Sequence, residues 1–132
     1  MRNLGERLTA EFMQTHDGCL IFLDMDNLKK INDIYGHKAG DRALKCLGKL
    51  LQKRADQGIS CRLGGDEFLM FLPDTDPGSL SLQMDDLFQK FHTITTDDPE
   101  LRFATLSAGL CLCSTDDSFE DCYSKAIKLC IT

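Results

Sequence analysis

The run Gly18-Cys19-Leu20-Ile21-Phe22-Leu23 carries no charge and stops at Asp24. It is far shorter than the roughly 20 residues that a membrane-crossing helix needs, and it has the length of a buried strand. The segments around it have helical spacing. Leu4, Leu8 and Phe12 form an amphipathic pattern that begins almost at the first residue and leaves no room for a capping segment. Leu28, Ile31 and Ile34 predict a short helix closed at Tyr35-Gly36, where glycine supplies a left-handed exit. Ala43, Leu44, Leu47, Leu50 and Leu51 predict a longer one.

At Ser60 the period changes to that of strands. Ser60 to Leu63 and Glu67 to Leu72 flank Gly64-Gly65, a two-glycine turn of the kind that tight hairpins require. Pro73 to Gly78 reads as a loop, with Asp76 placed to cap the next helix and Pro77 at its first position. Leu80, Met84, Leu87, Phe88 and Phe91 mark that helix, and Thr93 to Glu100 reads as a polar loop. Phe103 to Cys113 is strand-like, and Phe119, Cys122, Tyr123, Ala126, Ile127 and Cys130 give a last helical face. The order α-β-α-α-β-β-α-β-α, with a hairpin in its middle, predicts an α+β sandwich. Its central sheet should be mixed, mainly antiparallel and flanked by helices, in a single domain over residues 1–132 with no repeat or linker.

Charge and cysteine usage narrow the function. Lys plus Arg number 15 against 21 for Asp plus Glu, a formal net charge of −6, which argues against broad binding to nucleic acid or to an anionic membrane surface. A chain of this balance that handles phosphates needs a divalent cation to neutralise them. The seven cysteines are odd in number and include no CxxC pair, so they read as free thiols of a reducing cytoplasm. Cys111 and Cys113 are spaced to point the same way on a strand, while the others sit in apolar segments as small hydrophobes. His16, His37 and His92 are scattered without ligand spacing, which argues against zinc.

Two acidic clusters stand where a purely structural account has little use for them. Asp24 and Asp26 share one face of an extended segment, and Asp66 and Glu67 occupy the tip of the hairpin. Taken singly, each is at home as a cap or turn residue. Together they can converge only if the two strands are neighbours, and then they repel unless a cation, Mg²⁺ or Mn²⁺, joins them. Gly64 and Gly65 would let a ligand approach the backbone closely. Between the clusters lie Lys29, Asn32 and Asp41. An amide and a carboxylate can together read the guanine edge, although each could equally cap a helix.

Phe22-Leu23-Asp24-Met25-Asp26-Asn27-Leu28-Lys29-Lys30-Ile31-Asn32, then Gly36-His37-Lys38-Ala39-Gly40-Asp41, then Arg62-Leu63-Gly64-Gly65-Asp66-Glu67-Phe68 resemble, in order and distance, the GGDEF domain of diguanylate cyclases. Leu106-Ser107-Ala108-Gly109 is similar to the family's following strand, so the resemblance covers nearly the whole chain. It implies a fold similar to the palm of nucleotidyl cyclases and polymerases, and condensation of two GTP into cyclic di-GMP with release of two pyrophosphates. By position, Asp24, the carbonyl of Met25, Asp66 and Glu67 would hold the metal ions, with Asp24, Asp66 and Glu67 catalytic. Asn32 and Asp41 would read guanine, Gly64 and Gly65 would lie against the nucleotide, and Lys29 would meet the terminal phosphates. Leu28 replaces the Phe that the family usually carries at that binding position, a volume-tolerant change.

The resemblance also implies a homodimer, stable or transient, because one domain binds one GTP. It implies an attached sensory domain, and a cytoplasmic location even where the full-length protein is membrane-anchored. The domain itself is expected to touch neither nucleic acid nor membrane. The family's Arg-x-x-Asp inhibitory site falls here on Ala55 and Gly58, so inhibition by product through that site is expected to be absent. The family's opening stretch and its C-terminal Lys and strand are not found, which predicts a domain trimmed at both ends. The alternative to an active cyclase is a noncatalytic module that binds GTP and regulates an attached domain.

Overall fold

The computed structural model describes residues 3–130; residues 1, 2, 131 and 132, the ends of the expected 1–132 domain, lie outside the described residues. The elements are α1 (Leu4–Met13), β1 (Gly18–Asp26), α2 (Leu28–Tyr35), α3 (His37–Arg54), β2 (Ile59–Gly64), β3 (Glu67–Pro73), α4 (Pro77–Asp97), a 3₁₀ turn (Pro99–Leu101), β4 (Thr105–Cys113) and α5 (Phe119–Lys128). Their order is the predicted one. The four strands form one sheet, β2-β3-β1-β4, flanked by helices as expected, and every pairing in it is antiparallel, so the sheet is antiparallel throughout and not mixed.

The uncharged run lies in β1, between β3 and β4, with its residues covered on both faces. Cys19, Ile21, Leu23 and Met25 point into the larger core, where Leu44, Leu47 and Leu51 of α3 and Leu87 and Phe91 of α4 meet them. Leu20 belongs to the opposite core with Met13 of α1 and Phe119 and Cys122 of α5. Period-2 alternation of side chains therefore serves two helical layers at once. Among the described residues no helix is long and apolar enough to cross a membrane.

Three local readings are corrected. The polar stretch from Thr93 is helix as far as Asp97, not loop. Thr93 and Thr95 hydroxyls donate to the carbonyls of Gln89 and His92 at 3.1 Å each, inside their own helix, and Thr95 is buried. Helix α1 does have a cap, since Asn3 Oδ1 accepts from Glu6 N–H at 2.8 Å. The hairpin is present, but its two turn residues are Gly65 and Asp66, because Gly64 still pairs with Glu67 across a register shift. Other readings hold as stated: Asp76 caps α4 through Ser79 N–H with Pro77 in the first turn, and Gly36 leaves α2 at φ 92°.

Helix α5 sits so close to β4 that a β-carbon on Gly109 would overlap the carbonyl oxygen of Ala126. Gly109→Ala is expected to cost about 1–3 kcal/mol through overpacking, read as a lower thermal midpoint. An unchanged midpoint would mean that α5 can lift off the sheet without loss.

Candidate functional site

The C-terminal end of β1 carries Asp24 and Asp26 on one face. Register sets Asp24 opposite Glu67 of β3 on one side and Ser107 of β4 on the other. The hairpin turn arrives at the same place, where Met25 N–H donates to the Asp66 carbonyl at 2.9 Å. Arg62 holds the turn in shape, its Nε and Nη2 donating to the Gly65 carbonyl at 3.0 and 2.7 Å. Gly65 has φ 52°, a left-handed conformation that favours glycine. The space before the turn is open, for a β-carbon on Gly64 or Gly65 would meet no atom within 4 Å. The structure thus brings Asp24, Asp66 and Glu67 together as the sequence predicts.

The two strand carboxylates are not equivalent. Asp26 accepts hydrogen bonds from Ser107 Oγ at 2.8 Å and Thr105 Oγ1 at 3.2 Å, which supply it with neutral partners. Asp24 Oδ1 is buried and has no hydrogen-bond partner. Burial, followed by the charge and hydrogen bonding of Asp66 and the charges of Glu67 and Asp26, pushes the Asp24 carboxyl from 3.8 up to about 6. Excess negative charge, donors that are all oxygen and an orphaned carboxylate oxygen together fit a hard divalent cation. Asp24, Asp66 and Glu67 are the side chains available to it. Met25 is fully buried, which leaves its main chain as its contribution.

A second orphan lies between α2 and α3. Asn32 Oδ1 is buried without a partner, and a β-carbon on Gly40 would overlap it. Asp41 follows Gly40 directly and is exposed on α3. Among the described residues, Asp24 Oδ1 and Asn32 Oδ1 are the buried side-chain oxygens that lack a partner, and both belong to the candidate site. An unsatisfied buried polar atom costs about 1–3 kcal/mol, so a fold that keeps two of them here is poised for a ligand. Leu28 is half-buried on the first turn of α2 and packs on the larger core. Lys29 is not gathered with the acids; its side chain is 92% exposed and its Nζ meets Asp33 at 3.2 Å.

Residues that pattern reading passes over hold this arrangement. Asn27, with φ 68°, turns β1 into α2, and its Nδ2 donates to the Phe103 carbonyl at 2.8 Å. Its signal was an Asn at a strand-to-helix junction, a residue that tolerates left-handed backbone. Ser107 and Thr105 could be found only from the register of β4. Position 58 is closed to a side chain, since a β-carbon on Gly58 would overlap the Phe71 carbonyl oxygen, and Arg54 is tied to Asp86 of α4.

The family model described as diguanylate cyclase, GGDEF domain, matches residues 2–130. The chain is 34% identical over 123 residues to the probable diguanylate cyclase DgcJ of Escherichia coli K12, covering 91% of this chain and 24% of that protein. It is 44% identical over 77 residues to the diguanylate cyclase DgcP of Pseudomonas aeruginosa, covering 54% of this chain and 12% of that one. The structure superposes with a TM-score of 0.77 on the active GGEEF domain of a diguanylate cyclase from Vibrio cholerae, at 28% identity, covering 92% of this chain and 84% of the other. The chain thus spans a quarter or less of the length of these two curated relatives.

Proposed function

The chain belongs to the GGDEF domain family, and on that premise we propose that it condenses two GTP into cyclic di-GMP and two pyrophosphates across a homodimer. The observation that carries the reading is the pair of orphaned oxygens, Asp24 Oδ1 where a cation would sit and Asn32 Oδ1 where a base would. Asp24 ends β1 and Asn32 lies on α2, the helix that follows β1 directly, which supports one site for both.

Asp24, Asp66, Glu67 and the Met25 carbonyl would hold Mg²⁺ or Mn²⁺. Bound divalent ions would supply charge neutralisation at the triphosphate and make a ribose 3′-hydroxyl easier to deprotonate for attack on the partner nucleotide's α-phosphate. The chain's own residues do the rest. Arg62, by holding the Gly65 carbonyl, keeps the turn open so that Gly64 and Gly65 can lie against the nucleotide. Asn32 and Asp41 orient guanine, with Leu28 beside the base. Lys29 leaves its exposed pair with Asp33 to meet the terminal phosphates, a change of small cost because such pairs contribute little. Each domain orients one GTP, so a second copy must bring the other. An attached sensory domain would control that encounter, and the site would act on the cytoplasmic pool of GTP.

Incubation of the protein with GTP and Mg²⁺, with cyclic di-GMP read by chromatography, tests the proposal. Absence of product from a folded, dimeric sample that binds GTP would overturn it in favour of a noncatalytic module. Glu67→Gln is expected to lower turnover about tenfold or more, since it removes one cation-facing charge yet keeps the exposed side chain's volume. Unchanged turnover would remove Glu67 from the site.

A further inference from the structure

On the face of the sheet covered by α1 and α5, away from the acidic site, three sulfur atoms meet. Cys111 and Cys113 stand two apart on β4 and point the same way, and Cys122 descends on them from α5. Their Sγ atoms all lie within 4.8 Å of one another. Cys113 and Cys122 are buried and Cys111 is half-buried. The site proposed for GTP uses none of them. Burial and the neighbouring thiols push the Cys113 thiol up, and burial does the same for Cys122.

We propose that Cys111, Cys113 and Cys122 form a thiolate site for a thiophilic divalent cation, Zn²⁺ being the ion that suits it. Zinc–sulfur bonds of about 2.3 Å put the sulfurs of one tetrahedral ion roughly 3.8 Å apart, within reach of side-chain adjustments from the observed cluster. Three protein ligands leave a fourth position, and half-buried Cys111 opens it to the groove that Lys125 and Leu129 also line. Each thiol that ligates gives its proton to solvent, so three thiolates and Zn²⁺ leave a net charge of −1. Lys125, on the same groove as Cys111, is a cation available to offset that charge, while Asp117 acts on Cys122 in the opposite sense. Sulfur donors do not suit Mg²⁺, so the cluster and the carboxylates would select different ions. Sequence spacing hides the cluster, for no CxxC occurs and the third ligand arrives from another element. A bound ion would clamp α5 to β4.

Metal-free, reduced protein in excess Mg²⁺ should be titrated with Co²⁺ and then with Zn²⁺. One equivalent of Co²⁺ is expected to produce thiolate-to-cobalt charge-transfer absorption, which Zn²⁺ abolishes by displacement. Cobalt on the carboxylates gives no such band, so the readout is independent of GTP chemistry. Cys111→Ser, at the half-buried position, should weaken binding by more than the roughly 10–100-fold that loss of an outer-shell partner costs. Cys46→Ser on α3 should leave it unchanged. Cys122→Ser should abolish the band if circular dichroism shows it folded; if it does not fold, Cys111→Ser decides. Absence of the band in wild-type protein, or its survival at full affinity in Cys111→Ser, would overturn the proposal.

Discussion

Asp24→Asn is expected to lower turnover by roughly a thousandfold and, at the same time, to stabilise the metal-free protein at pH 7. The two effects have one cause. The carboxyl of Asp24 is pushed up to about 6 from an ordinary 3.8, so the folded state binds its proton more tightly than the unfolded chain does. Wild-type stability therefore falls as pH rises from about 4 to 6, and above 6 the full penalty of an unpartnered charge is present. Asn carries no charge to desolvate. Discounted for solvent screening, the gain is of order 1 kcal/mol at neutral pH. It should shrink as pH falls through 6 towards 4 and vanish well below 3.8, where the wild-type carboxyl is neutral in both states. Thermal denaturation in a chelator from pH 4 to 7 checks this. A difference between the two proteins that does not change with pH would show that Asp24 is not the strained group, and adding Mg²⁺ should stabilise the wild type more than the variant.

Gly40→Ala is the second large effect, and it acts without touching the ligand. The new methyl would overlap Asn32 Oδ1, so the amide must turn away from the position in which it is buried and unpartnered. GTP recognition should weaken by about 10–100-fold, the worth of one well-placed polar pair to a base. The loss should appear in KM rather than kcat, because the carboxylates at the end of β1 are unaltered. Nucleotide preference for guanine over adenine should relax in parallel. Equal KM in variant and parent would separate Asn32 from base recognition, and a collapse of kcat alone would point instead to a shift of α2 against β1.

Much of this architecture is legible in residue pattern, because most segments carry one unambiguous period. The uncharged run, the Gly-Gly hairpin and the apolar stripes of α3 and α4 each allow one element type. The exceptions are places where a side chain replaces a missing pattern. Thr93 and Thr95 bond back to their own helix and extend α4 through a stretch whose composition suggests loop. Asn3 caps α1 where the apolar spacing alone leaves no room for a cap. At the site, the positions of Asp24, Asp66 and Glu67 follow from the motif. What no spacing could reveal is which of Asp24 and Asp26 keeps an oxygen without a partner, because the hydrogen bonds to Asp26 depend on Ser107 and Thr105, brought alongside by the pairing of β1 with β4.

That pairing also fixes when the site can exist. Ser107 is 81 residues away from the Asp26 carboxylate that it holds. Contacts of such separation close late, after local helices and the hairpin have formed. A chain still emerging from the ribosome can build α2, α3 and even the hairpin, yet its end of β1 stays unpaired on one side until β4 has been made. If the site binds GTP as proposed, capture would be withheld from every half-made copy, and binding would report that the whole sheet is closed.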